Sequence, residues 1–139
     1  MVHLKQAIVE LAKEYQEQGV AFLAISSNSV KSHPEDGPDM MAVEAQRYCY
    51  TFPYLYDQSQ DVARAYNTAC TPEFLVFDKD LRLTYHGQFD DSSPGRRTAI
   101  TGKDIRAALN ATLSGQVMEQ PWKPSIGCSI KWDSGNGRW

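Results

Sequence analysis

The sequence predicts an α/β protein with a central mixed sheet flanked by helices, in the order αβαβαββα. Three observations lead there. Amphipathic helical patterns alternate with short apolar runs, the signature of a sheet covered by helices. The first run, residues 20–25 (Val-Ala-Phe-Leu-Ala-Ile), is continuously apolar, as a parallel strand buried on both faces is. The last two strands are separated only by Asp78-Lys79-Asp80, a connection short enough for an antiparallel hairpin, which excludes a purely doubly wound sheet. At 139 residues the chain has the length of one domain.

The elements follow in order. Leu4, Ile8, Leu11 and Tyr15 mark one face of a first helix, with Lys5, Glu10, Lys13, Glu14 and Glu17 elsewhere, and Gly19 stops it. The run 20–25 is the first strand. A loop carrying Pro34 and Gly37 leads to Pro38, placed at the first turn of a second helix that buries Met41, Ala45 and Tyr48. Residues 52–56 form a short strand that Pro53 confines to an edge. Asp57 or Ser59 caps a third helix with Val62, Ala65 and Tyr66 inward. Strand 74–77 and an alternating strand 81–86 make the hairpin. A polar loop, 87–100, leads to a fourth helix from Thr101, with Ile105, Ala108, Leu109 and Thr112 on one face and Gly115 at its end. Residues 116–139 read as a strap with a loose end, whose Trp122, Ile126, Ile130 and Trp132 need a surface to bury against.

Composition narrows the function. Charged residues make up 22% and the formal net charge is −3, with no basic cluster beyond Arg96-Arg97. That balance excludes an electrostatic nucleic-acid or anionic-membrane surface. No apolar run approaches the roughly 20 residues of a membrane span. The opening residues lead straight into a helix and lack secretory character, so a soluble, cytoplasmic protein is expected. Cys49, Cys70 and Cys128 form neither a disulfide framework nor a zinc motif. His3, His33 and His86 fall in no ligand pattern and are expected at surfaces or element ends. Neither metal nor cofactor is expected.

The run Cys70-Thr71-Pro72-Glu73, directly before the apolar strand 74–77, carries the most chemistry. A proline at the mouth of a buried strand must sit at its first residue or in a bend, and its peptide bond can be cis or trans. A cis bond would turn the backbone of Thr71 outward, where its N–H and C=O could pair with an extended substrate beside the Cys70 sulfur. The plain alternative is a buried small thiol before an ordinary proline. Glu73 has two readings, a half-buried proton carrier or a carboxylate facing solvent. Asp90 and Asp91 are adjacent loop carboxylates, expected as turn formers or partners of Arg96 and Arg97. Cys49 is expected in the core, and Tyr54, Tyr56 and Tyr66 at its rim.

Taken together, residues 19–28 (Gly-Val-Ala-Phe-Leu-Ala-Ile-Ser-Ser-Asn), 52–57 (Phe-Pro-Tyr-Leu-Tyr-Asp) and 70–78 (Cys-Thr-Pro-Glu-Phe-Leu-Val-Phe-Asp) resemble the redoxins of the alkyl hydroperoxide reductase and thiol-specific antioxidant family, which have the thioredoxin-like fold. Residues 87–94 and 124–132 are similar to one branch of that group. The resemblance implies a thioredoxin-like domain over 1–115, with 38–57 as the redoxin insertion, and a C-terminal strap over 116–139. It matches Pro72 to the family's cis-proline and Thr71 to the residue whose backbone receives substrate, with Glu73 beside them.

It further implies thiol–disulfide exchange or peroxide reduction, with a protein disulfide or peroxide as substrate and a thiol as reductant. The family's attacking cysteine stands at the start of the helix that begins here near His3, after a strand central to the sheet. This chain begins after both, so it is expected to be an N-terminally truncated redoxin. Its sheet would then be completed by a second copy, by rearrangement, or not at all. Within the chain, Cys70 is the candidate redox thiol and Cys128 the candidate resolving thiol, the alternatives being a packing role for Cys70 and, for Cys128, a strap residue packed beside Ile126 and Ile130. The alternatives are a catalytically inactive redoxin-like module binding extended peptide, or an unrelated α/β ligand-binding domain whose cysteines are structural.

Overall fold

A computed structural model describes residues 2–136. The chain forms two compact units, one of Met1–Ala7 with Cys70–Cys128 and one of Ile8–Ala69 with Ser129–Trp139. Its elements are α1 (Lys5–Gln16), β1 (Ala24–Ser26), α2 (Pro38–Arg47), β2 (Tyr54–Tyr56), α3 (Asp61–Ala65), β3 (Cys70–Thr71), β4 (Phe74–Phe77), β5 (Leu83–Gly87), α4 (Lys103–Leu113) and β6 (Cys128–Ser129). The expected alternation is present, with two short strands added, β3 at the prolyl bend and β6 in the strap. Both senses of pairing occur, but in separate two-stranded ladders: β1 with β2 in parallel, β4 with β5 antiparallel, and β3 with β6.

In the unit that begins at Ile8, Leu11 and Tyr15 of the face expected for α1 are buried while Ile8 is half-buried, and Val9 and Ala12 join the buried side. Gly19 turns the chain at φ +85°, a conformation open chiefly to glycine. The first strand is shorter than the apolar run. Its ladder opens with the Ala24 N–H donating to Pro53 O at 2.9 Å. Before Pro53 no neighbouring strand runs alongside, so residues 20–23 stay outside it and Leu23 is 59% exposed. Both expected caps act on α3. Asp57 accepts from the N–H groups of Val62 (3.3 Å) and Ala63 (3.0 Å), and Ser59 Oγ from that of Asp61 (3.3 Å). This anchoring turns Ala63 inward, so Val62, Ala65 and Tyr66 are exposed, contrary to expectation. Cys49 is likewise exposed rather than core. It lies beyond the end of α2 at φ +56°.

The unit that contains Cys70–Cys128 packs α4 on β4 and β5. Val76, Tyr85, Phe89, Ile105, Ala108 and Leu109 form its core. The Phe74 and Phe89 rings lie 5.2 Å apart. The hairpin turn is longer than expected. Asp78 Oδ1 accepts from the N–H groups of Asp80 (2.9 Å) and Arg82 (3.0 Å), leaving Leu81 at φ +62° and β5 starting at Leu83. Helix α4 starts at Lys103 because Asp90 Oδ2 accepts from the N–H groups of Thr101 (2.8 Å) and Gly102 (2.7 Å).

Asp90 is therefore a buried helix anchor. Asp91 pairs with Lys103 and Lys123 in place of the expected arginines. His3 is not a surface residue either, since both of its ring nitrogens are buried. In the strap, the Trp122 ring lies 5.9 Å from that of Tyr85, tilted by 53°, and Ile130 is buried, while Ile126 is 42% exposed. Residues 137–139 of the expected loose end lie outside the described residues. No helix among the described residues is long and apolar enough to cross a membrane.

Candidate functional site

The Thr71-Pro72 peptide bond is cis, the geometry that the resemblance implies for this bend. Pro72 is buried, while Cys70, Thr71 and Glu73 are half-buried. The bend ends β3 and delivers the chain into β4, so these four residues are held by the hairpin that follows. Two steps beyond Pro72, Phe74 pairs with Gly87 and Leu75 with His86. This register brings the His86 imidazole back over the bend.

The result is a chain of polar groups that neither residue's sequence neighbourhood announces. The Cys70 thiol donates to Glu73 Oε1 at 3.4 Å and lies 3.8 Å from the Ser125 carbonyl. The other carboxylate oxygen, Oε2, is 3.0 Å from His86 Nε2. The Glu73 side chain is only 12% exposed and that of His86 21%. Of the two readings for Glu73, the structure gives the half-buried one. Burial, followed by the nearby Glu73 charge and hydrogen bond and then Cys128, pushes the Cys70 thiol up to about 12. Thiolate is the reactive form, so Cys70 is held protonated and quiet at neutral pH.

The strap closes over the same place. β6 ladders with β3, and the Ile130 N–H donates to Ala69 O at 3.0 Å. A Cβ on Gly127 would overlap the Thr71 carbonyl, and one on Gly87 would overlap the Lys123 carbonyl. Both positions therefore need glycine for close backbone approach. Ser125 Oγ donates to Gly87 O at 2.6 Å, and the Gln88 N–H to Lys123 O at 2.9 Å. The edge of Thr71, expected to stand open for an extended guest, is thus occupied by the protein's own strap. The strap also puts Cys128 on the strand paired with β3, where it is exposed. Cys49 belongs to the other unit and takes no part in this cluster. Sequence reasoning missed His86. Its signal was present only in the hairpin register, which the longer turn obscured.

An α/β chain whose thiol precedes a cis-proline at the mouth of a strand defines a thioredoxin-like protein. The sequence model of the AhpC/TSA family matches residues 5–86, more than half of the chain, and the chain belongs to that family. Cys70, Thr71, Pro72, Glu73 and His86 fall within the matched residues, and Cys128 beyond them.

Two solved structures are similar over almost the whole chain. One is a hypothetical protein from Sinorhizobium meliloti, 46% identical with a TM-score of 0.93, covering 96% of this chain and 73% of that one. The other is an uncharacterized conserved protein from Geobacillus kaustophilus, 50% identical with a TM-score of 0.91, covering 96% of this chain and 70% of that one. No curated protein matches.

Proposed function

We propose that this chain carries out thiol–disulfide exchange through the pair Cys70 and Cys128, with a disulfide or peroxide as oxidant and a small or protein thiol as reductant. The observation that supports the proposal is the pairing of β3 with β6, which puts one cysteine on each of two neighbouring strands at the prolyl bend.

The roles follow from exposure. Cys128 faces solvent and meets the oxidant, whereas Cys70 is half-buried and kept protonated. In the first step the Cys128 thiolate attacks a substrate disulfide, forming a mixed disulfide and releasing one substrate thiol. In the second, Cys70 gives up its proton and attacks the Cys128 sulfur. The second substrate thiol leaves, and a Cys70–Cys128 disulfide remains. A peroxide would instead convert Cys128 to a sulfenic acid with release of an alcohol or water, and condensation with Cys70 would expel water. Two reductant thiols then restore both cysteines and leave as a disulfide.

The alternative of an inactive module that binds extended peptide is less well supported, because β6 already occupies the edge such a peptide would take. After mild oxidation, peptide mapping without reductant should show Cys70 linked to Cys128. Insulin reduction or peroxide consumption with a thiol reductant should then be lost in Cys128→Ser. Recovery of both residues as thiols, with no turnover in either assay, would overturn the proposal.

A further inference from the structure

We infer that Glu73 is the proton acceptor for Cys70 and that His86 is the positioning residue that holds Glu73 and links it to solvent. The inference deepens the exchange reaction proposed above and rests on it for its biological use, but its chemistry concerns Cys70 alone.

A half-buried thiol at neutral pH cannot attack a disulfide until its proton has somewhere to go. Here, of the two oxygens within reach, one is the nearer acceptor and the only one that can take the proton: Cys70 Sγ lies 3.4 Å from Glu73 Oε1, to which it donates. Transfer across that contact leaves a thiolate and a neutral carboxyl, so the number of negative charges in the cluster does not change. Loss of the proton to bulk water would instead leave two anions side by side, which the low-dielectric surroundings penalise. The same carboxylate therefore suppresses the thiolate at rest and accepts the proton during attack.

His86 Nε2 sits 3.0 Å from the second carboxylate oxygen. It fixes the carboxylate plane, and its greater exposure makes it the outlet toward water. The titratable groups facing Cys70 are Glu73 ahead of β4 and Cys128 on β6, with His86 on β5 reached through Glu73. The Ser125 carbonyl, the remaining neighbour at 3.8 Å, accepts a hydrogen bond but no proton.

The step is balanced without further partners. The Cys70 S–H bond breaks and Glu73 takes the proton. The sulfur lone pair forms the new S–S bond, and the electron pair of the old one leaves with the departing thiolate. That thiolate is reprotonated from Glu73 or water.

The test uses the full chain with Cys49→Ser and Cys128→Ser, so that Cys70 is the one thiol, and compares two rates. Iodoacetamide alkylation against pH reads the acidity of Cys70. Attack on dipyridyl disulfide, a neutral probe, reads exchange at pH 7. Adding Glu73→Gln should move the alkylation midpoint down, because the carboxylate charge is gone, and yet slow the exchange about tenfold or more, because the acceptor is gone.

These opposite signs are the signature. A residue that merely supported the fold would move both rates together, and such a result would overturn the inference, as would a parent protein inert to the disulfide. His86→Leu should slow exchange, because the carboxylate loses the partner that orients it. His86→Gln, which keeps a donor, should recover part of the rate. Equal rates in the two His86 variants would remove His86 from the relay. Failure of the Cys70–Cys128 link to form, with the opposite signs intact, would sink the exchange proposal and leave the relay standing.

Discussion

Asp90 shows how much of this protein is decided by single side chains. It is 3% exposed and accepts from Ser92 N at 2.8 Å, from the Ser92 hydroxyl, and from the Thr101 and Gly102 N–H groups. Burial alone would raise its pKa, but the hydrogen bonds from Ser92, Gly102 and Thr101 outweigh it, and the carboxyl is held below its ordinary value. A depressed carboxylate contributes stability that is fully present above the ordinary aspartate range. The contribution is lost as the pH falls through the lowered folded-state value. Asp90→Ala should therefore cost about 1–3 kcal/mol at pH 7, since buried N–H groups lose their partner. The gap between variant and parent should narrow toward pH 2. Urea melts at the two pH values measure both. An equal gap at each would show that the carboxylate charge is irrelevant to its role. In the sequence Asp90 and Asp91 are indistinguishable neighbours. Only the folded loop makes the first a buried anchor and the second a surface partner of lysines.

At the scale of elements, the strap is where sequence and structure part most. Its aromatic and branched residues announce that it must pack, but nothing in their spacing says against what. The helices were legible because their apolar faces repeat at helical period, as Leu11 and Tyr15 in α1 and Ile105, Ala108 and Leu109 in α4 confirm. Strand ends were less so. A strand lasts only as long as its neighbour, so the proline before β2 and the Asp78 turn before β5 set limits that apolarity does not encode.

At the site, Cys70, Thr71 and Pro72 were readable from one tripeptide. His86 and Ser125 required knowledge of which strands pair. The strap's seat depends on Gly127, whose missing side chain admits the Thr71 carbonyl. Gly127→Ala sets a methyl group against backbone that has no rotamer to yield. We expect a loss of about 1–3 kcal/mol from overpacking, together with faster alkylation of Cys70 as β6 lifts away. Unchanged stability and unchanged alkylation would mean that the strap is not held there.

For the whole molecule the decisive property is that, among the described residues, each main ladder has two strands. β1 is bonded along one edge by β2, and β4 along one edge by β5. Unpaired strand edges are templates for another chain, and two-stranded sheets are marginal alone. The sequence left three outcomes for the sheet, completion by a second copy of the chain, rearrangement or neither, and self-association along a strand edge tests the first. In the β1 ladder, Ala24 N and Ser26 O both bond toward the β2 side. Alternate residues of a parallel strand face the same neighbour, so the N–H and C=O of the intervening Ile25 point to the other edge. Ile25→Pro removes that outward donor without touching a bond to β2. The parent chain should show concentration-dependent association by analytical ultracentrifugation. The variant, with a matching far-ultraviolet dichroism spectrum, should shift toward monomer. Leu55 on β2, 48% exposed, offers a control, because Leu55→Ser changes a side chain and leaves every strand edge intact. Association that survives Ile25→Pro but fails in Leu55→Ser would place the contact on the exposed apolar surface and overturn the strand-edge account.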